Sequence, residues 1–387
     1  MAPLVIERRT AAHPEQAAGP GGVSDLLAAA RHVAAWSGAR AAAQDAGAAD
    51  LRPDIQALAR AGLLTAPLPA TLGGLDLAHH PSTTGTVVTI LSTLGAANLS
   101  LARLYEGHVN AVKLLVLYGS RAQLHGFADS LQDGGMYGVW GADGAAPAQL
   151  EGSAARLRLR GSKRYASGAG LLRGAVVPVR DLQGRQQLLL LDTAGEARAD
   201  PGAWRMQGMR ATQSGSYDLD GLAISESRFL GPPDSYRREP WFKGGIWRCA
   251  AAQLGAVERV VAELEDHLHA QRRLADPAQL KRLGRAMIAA RSARYWVEDA
   301  AVRVEAQVEE PAARDAAVAL AGMARLEVER CALDAMQLAQ RSIGLALFDE
   351  RHPLERVMRD LAVYLRQAAP DALLLECTQG LLRPEHR

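Results

Sequence analysis

The residues of this chain that could do chemistry fall into a few small groups. The phrase Gly161-Ser162-Lys163-Arg164-Tyr165-Ala166-Ser167-Gly168-Ala169 sets a hydroxyl two residues after an aromatic ring. An aromatic face can pack on a ring and keep water away. A hydroxyl can donate a hydrogen bond to charge that develops on a bound group. Near the C-terminus, Arg341-Ser342-Ile343-Gly344 sets a glycine beside a cation, and glycine lets a backbone come close to a ligand. Proton transfer needs a positioned base, and Asp371, Glu376, Glu258 and His108 are the scattered candidates. Each group has an ordinary structural alternative: a turn, a solvated charge, a surface carboxylate, a packed histidine. Cys249, Cys331 and Cys377 form no CxxC pair and read as reduced thiols, and no metal is expected.

The elements that must position these residues change character along the chain. The 387 residues exceed one compact core, and 48% hydrophobic with 22% charged residues is ordinary for a globular protein. The net charge is +2 without a Lys/Arg block, so neither nucleic acid nor an anionic membrane is expected as a partner. No run of about 18 uncharged apolar residues occurs. Glu7 interrupts the N-terminus before an apolar signal region could form, so a cytoplasmic location is expected. Residues 1–23 read as a loose arm. Residues 24–133 show helical spacing, with Pro53 near a start and the breaker-rich 66–74 between helices. Residues 134–239 turn to short apolar or alternating runs, at 156–159, 174–179, 187–191 and 216–224, which read as strands. Residues 240–387 return to long helical stripes, with Pro277 and Pro311 where helices should begin.

This order of modules, together with several motifs, resembles the acyl-CoA dehydrogenase superfamily from about residue 24 onward. The Lys163–Ser167 phrase is similar to that family's G-x-K-x-[WYF]-x-[ST] signature, and Trp204, Gly208-Met209-Arg210 and Ser214 to its W-x-x-x-G-x-R-x-[ST] strand pair. Arg341-Ser342-Ile343-Gly344 lies 18 residues before Arg359-Asp360, the family's spacing between its adenine-side loop and its Arg-Asp pair. The resemblance implies an α+β, mainly α fold: an N-terminal helical domain, a small middle β-barrel or sandwich, and a C-terminal four-helix bundle. It implies a FAD cofactor, with FMN as the alternative. Trp140 would sit on a flavin-contacting strand, Tyr165 against the flavin ring and Ser167 near its N5. Arg272, Arg341, Ser342 and Gly344 would serve the phosphates or adenine, with the last three reaching a neighbouring subunit's flavin. A homodimer or homotetramer follows, with a small-molecule substrate such as an acyl-CoA and a flavin reductase or electron-transfer partner.

The resemblance breaks at the base. The family's glutamate falls eight residues after the aspartate of the Arg-Asp pair, which here is Ala368, or in another subgroup near Gly245. Asp371, Glu376 and Glu258 are the weak replacements, and no catalytic residue is assigned. The expected activity is acyl-CoA dehydrogenase-type redox chemistry. A reduced-flavin monooxygenase and a non-catalytic flavin-binding scaffold are the alternatives, and neither needs an α-proton base.

Overall fold

The computed structural model describes residues 22–153, 156–193, 197–306 and 309–382. The expected arm at 1–23 lies outside them but for its last two residues. The helices fall in two groups. The first comprises α1 (Val23–Asp45), α2 (Arg52–Arg60), α3 (Thr84–Ala97), α4 (Leu99–Tyr118) and α5 (Arg121–Gln132). Asn98 caps α4 by accepting from the Leu101 amide, and its own amide donates to Ser37 Oγ at 3.0 Å and Gln44 Oε1 at 2.7 Å. One polar residue thus starts α4 and ties it to α1, satisfying donors that a helix end leaves open. Helix α5, which periodicity did not single out, starts with a capping box between Ser120 and Gln123.

The middle region holds β1 (Tyr137–Val139), β2 (Gln149–Ser153), β3 (Arg156–Arg160), β4 (Ser162–Arg164), β5 (Gly174–Arg180), β6 (Gln186–Asp192), β7 (Ala199–Asp200), β8 (Ser216–Asp218), β9 (Ala223–Ile224) and β10 (Phe229–Leu230). The larger sheet has the order β10-β6-β5-β2-β3-β9, with β1 parallel to β5; the smaller has β4-β8-β7. The alternating run at 216–224 is two strands rather than one. Asp220-Gly221 turns the chain, with Gly221 at φ +74°, so β8 pairs β4 in one sheet and β9 pairs β3 in the other.

The second helical group comprises α6 (Ile246–Ala270), α7 (Pro277–Glu305), α8 (Pro311–Ile343), α9 (Pro353–Tyr364) and α10 (Pro370–Leu381). Four of these five begin with the proline that cannot continue a preceding turn but suits a helix start. Helix α3 packs on α6 and α7, so the two helical groups share one core. The α3–α6 crossing is closed by two glycines. A Cβ on Gly95 would lie 2.1 Å from Ala252 O, and one on Gly255 2.0 Å from Ser92 O. Neither oxygen can move without separating the helices. Gly255→Ala is therefore expected to cost about 3 kcal/mol by overpacking, readable as a lower urea midpoint; an unchanged midpoint would show that the helices can part freely. Among the described residues no helix is long and apolar enough to cross a membrane.

Candidate active site

The motif at 161–169 folds into the wall of a cavity. Lys163 is buried, and its ammonium donates to Asp143 and to Pro178 O, both at 2.6 Å, so it anchors the strand rather than facing the cavity. Trp140 is also buried. Its indole donates to Ser167 O at 3.0 Å and packs on Tyr217, with ring centroids 4.9 Å apart. Across the cavity, Asp360 Oδ1 accepts from the Met209 amide at 2.6 Å, and the Arg359 guanidinium joins Asp45 and Glu355. Gly208 allows this contact, since a Cβ there would lie 2.3 Å from Arg359 O. Burial pushes the Asp360 carboxyl above the usual range, opposed by Arg356 and the Met209 amide. The Arg-Asp pair is thus the fastener between α9 and the loop that carries residues 204–214.

The cavity so formed has a volume of about 580 Å³. Ser167, Ser214 and Thr212 form a hydroxyl ladder on its wall, with Oγ separations of 2.8 and 2.6 Å, and Thr212 donates onward to Met209 O at 2.6 Å. While Thr212 keeps its bond to Met209 O, Ser214 donates to Thr212 and Ser167 to Ser214; a ligand that takes the Ser167 proton must turn the ladder round, so that Thr212 donates to Ser214 and Ser214 to Ser167. Trp204, Met209 and Ile246 supply apolar wall, and Tyr165 lies edge-on to Trp204 with 47% of its surface exposed. A flat ring with a polar edge fits this set: apolar faces to pack on and a hydroxyl donor at the rim.

A second cavity of about 660 Å³ adjoins the first, the two sharing Glu106, Ile246 and Gln367 in their walls. Helix α4 builds the junction. Arg103, Glu106, Asn110 and Lys113 repeat at spacings of three and four on an otherwise apolar helix, so they line one face. Glu106 accepts from Arg103 at 2.5 Å and from Asn110, whose carbonyl in turn accepts from Arg248. Arg248 reaches Glu305 at 2.9 Å, and Glu305 takes Lys113 at 2.7 Å and the Trp247 indole at 3.3 Å. Burial pushes the Lys113 ammonium down, while Glu305 pulls it back up. Sequence reading missed this chain. The repeat of polar residues along α4 was its visible signal; Glu305, 192 residues from Lys113, had none.

The positions where a base was sought do meet here. Ala368 and Gly245 both line the second cavity. Glu376 lines it too, but is exposed and paired with Lys243. Asp371 and Glu258 line neither cavity. Asp371 is exposed in the first turn of α10, and Glu258 is held by Arg294 at 2.8 and 2.9 Å. His108 is fully buried away from both cavities, its Nε2 on Leu64 O at 2.8 Å and its Nδ1 on the Tyr137 amide at 3.3 Å. Glu239, which sequence reading did not weigh, lines the second cavity; burial raises its proton affinity, opposed by the Lys243 and Gly244 amides.

The phosphate-side candidates stand elsewhere. Arg272 and Arg341 are exposed, Ser342 is buried, and Gly344 has φ +79° with open space beside its Cα. Arg273 donates to Ser342 O at 3.3 Å, which joins the ends of α6 and α8. At ~1.5 Å per residue, α6 carries this end roughly 35 Å from Ile246. Leu345 and Phe348 beside Gly344 remain 87% and 59% exposed.

No family model and no curated protein matches the sequence. Solved structures do match the fold. Dibenzothiophene monooxygenase TdsC from Paenibacillus sp. A11-2 superposes with a TM-score of 0.82 at 18% identity, covering 94% of this chain and 97% of that one. Butyryl-CoA dehydrogenase from Megasphaera elsdenii gives 0.80 at 16%, covering 93% and 98%. Methanesulfinate monooxygenase MsuC from Pseudomonas fluorescens gives 0.75 at 19%, covering 92% and 96%. TdsC has also been seen with FMN and indole bound. The chain therefore has the acyl-CoA dehydrogenase fold, the fold shared by that dehydrogenase and those flavin monooxygenases.

Proposed function

We propose that this protein is a flavin-dependent oxidoreductase that works as a reduced-flavin monooxygenase rather than by dehydrogenating an acyl thioester. The observation that carries the reading is the cavity wall itself. Both places where a proton-abstracting glutamate would stand, Ala368 and Gly245, face the substrate-side cavity without an acid. Glu106, at the junction, has one carboxylate oxygen taken by Arg103 and the other by Asn110. A reduced flavin supplies the two electrons of a monooxygenation, in which one atom of dioxygen enters the substrate and the other leaves, with two protons, as water. The chain's own part is to bind and orient. Tyr165, Trp204 and Met209 would pack on the ring, Ser167 would donate to its polar edge, and Gln367, held by Tyr364 O at 2.9 Å, would face the junction with the substrate. The same fold carries TdsC, seen with FMN, which supports FMN alongside FAD as the cofactor.

The test is direct. Ser167→Ala is expected to weaken reduced-flavin binding about tenfold, as loss of a hydrogen bond to a charged group would, with a smaller effect on oxidised flavin. Butyryl- and octanoyl-CoA, mixed anaerobically with the flavin-loaded protein, are expected not to bleach the flavin. Rapid bleaching would overturn the monooxygenase reading in favour of dehydrogenation. One observation favours that second reading: Glu239 is a cavity carboxyl whose proton affinity burial raises, so Glu239→Gln would then abolish the bleaching. Arg272, Arg341, Ser342 and Gly344 are too distant along α6 and α8 to share one chain's cofactor with Ser167. With Leu345 and Phe348 exposed beside them, they fit a second copy's flavin in a homodimer or homotetramer.

A further inference from the structure

The substrate-side cavity contains a buried cation that makes no hydrogen bond. Arg325, on α8, is 2% exposed and lines that cavity. Its Nε, Nη1 and Nη2 make no hydrogen bond. Glu329, one turn on, keeps Oε2 3.5 Å from Nη2 and gives its other oxygen to Arg366 at 2.8 Å. Buried Arg325 and the exposed Arg366 thus share one carboxylate, and Arg325 keeps only the longer contact with it. The other cations of this wall have carboxylates within hydrogen-bond distance: Lys113 and Arg248 share Glu305, and Lys243 meets Glu376. Burial pushes the Arg325 guanidinium down, with Glu329 opposing. An arginine still keeps its proton in proteins, so its guanidinium nitrogens call for acceptors beyond the 3.5 Å contact with Glu329. A buried guanidinium without hydrogen bonds is costly. The wall beside Arg325 is Val318, Ala319, Gly322, Leu373 and Cys377.

We propose that the substrate carries an organic oxyanion, a carboxylate or sulfonate, seated on Arg325, with an apolar body reaching along the cavity toward the hydroxyl ladder. This deepens the functional reading above and rests on it for the identity of the cavity as the substrate site. The guanidinium fork matches two oxygens of such a group. The apolar wall explains the preference for a single charge, since a phosphate dianion would need further donors that this end of the cavity lacks.

The probes are phenylalkanoates with one to four methylenes, the corresponding sulfonates, and the matched primary amides. They are titrated calorimetrically into the flavin-free and the FMN-loaded protein. At least one oxyanion is expected to bind about tenfold or more tightly than its amide, the effect of one charge-assisted hydrogen-bonded pair. Arg325→Met is expected to abolish that preference while amide binding persists, and Arg325→Lys to keep part of it. Without ligand, Arg325→Met is expected to melt at or above the wild-type temperature, because it removes a buried charge that makes no hydrogen bond. Should the methionine variant not fold, Arg325→Gln serves the same comparison. Equal binding of oxyanions and amides throughout the panel overturns the proposal, as does an undiminished preference in the variant. If Arg325→Met and Arg325→Gln both melt well below wild type the proposal is overturned too, since Arg325 would then be Glu329's structural partner. An oxyanion preference in a protein that binds no flavin would leave this inference standing while sinking the flavin reading.

Discussion

Replacing Glu305 with glutamine is expected to cost about 3–5 kcal/mol of folding stability, the usual effect of removing one partner from a buried ion pair. Glu305 is fully buried at the end of α7 and is the shared acceptor for Lys113 and Arg248, both 3% exposed. Glutamine keeps the size but not the charge, so two cations would be left in the interior with one neutral carbonyl between them. The loss should depend on pH in a definite direction. Burial already lowers the Lys113 proton affinity, and Glu305 is what raises it. In the variant the folded-state value falls further below the unfolded value of ~10.4. The unfolded chain then binds the proton more readily, so stability is lost as pH falls below the unfolded value. The deficit should therefore be larger at pH 7 than at pH 9.5. Urea denaturation at the two pH values measures it. A cost under ~1 kcal/mol, or one equal at both pH values, would mean that solvent reaches the pair and screens it. The same variant should disturb the cavity junction, because Arg248 positions Asn110 and through it Glu106.

Mild acid is the second large lever. Burial lowers His108 to about 4 and His79 to about 3, against 6.5 for a free imidazole. His108 fits its pocket only when neutral: Nε2–H donates to Leu64 O, and Nδ1 accepts from the Tyr137 amide. A second proton would set two donors against each other. Both folded-state values lie below the unfolded one, so the unfolded chain takes up protons first. The contribution is complete above pH 6.5 and is lost as pH falls toward the folded values. At ~1.36 kcal/mol per unit, the two histidines together should lose about 4 kcal/mol between pH 7.5 and 5. Asp54, Asp360 and Glu239, which burial raises, work the other way in that window. The difference between wild type and His108→Asn is therefore the measure. The variant's stability should fall by about 2 kcal/mol less over this range. Parallel profiles would show that the His108 ring is protonated or solvated in the folded protein.

The order of helices, strands and helices was legible in the sequence, because each element's apolar period and its proline or cap are local properties. Pro277 and Pro311 open α7 and α8 where they were expected. The Tyr165–Ser167 phrase could be read from the sequence too, and Ala368 and Gly245 are the positions to which the family resemblance carries a base. What failed was whatever depended on a partner far along the chain. The run at 216–224 alternates throughout, yet Asp220-Gly221 bends it and the two halves join different sheets. Which face of α4 meets the cavity follows from the glycine-closed crossing of α3 on α6, and nothing in α4 announces Glu305 as the acceptor for Lys113. Arg325 shows the limit most plainly. In sequence it is one more arginine one turn from a glutamate, the pattern of a solvated surface pair. Burial, with α10 packed over α8, and the sharing of Glu329 with Arg366 leave it without a hydrogen bond. Local spacing set the elements and the Tyr165–Ser167 phrase; burial and the sharing of one carboxylate, both non-local, decided the surroundings of Arg325.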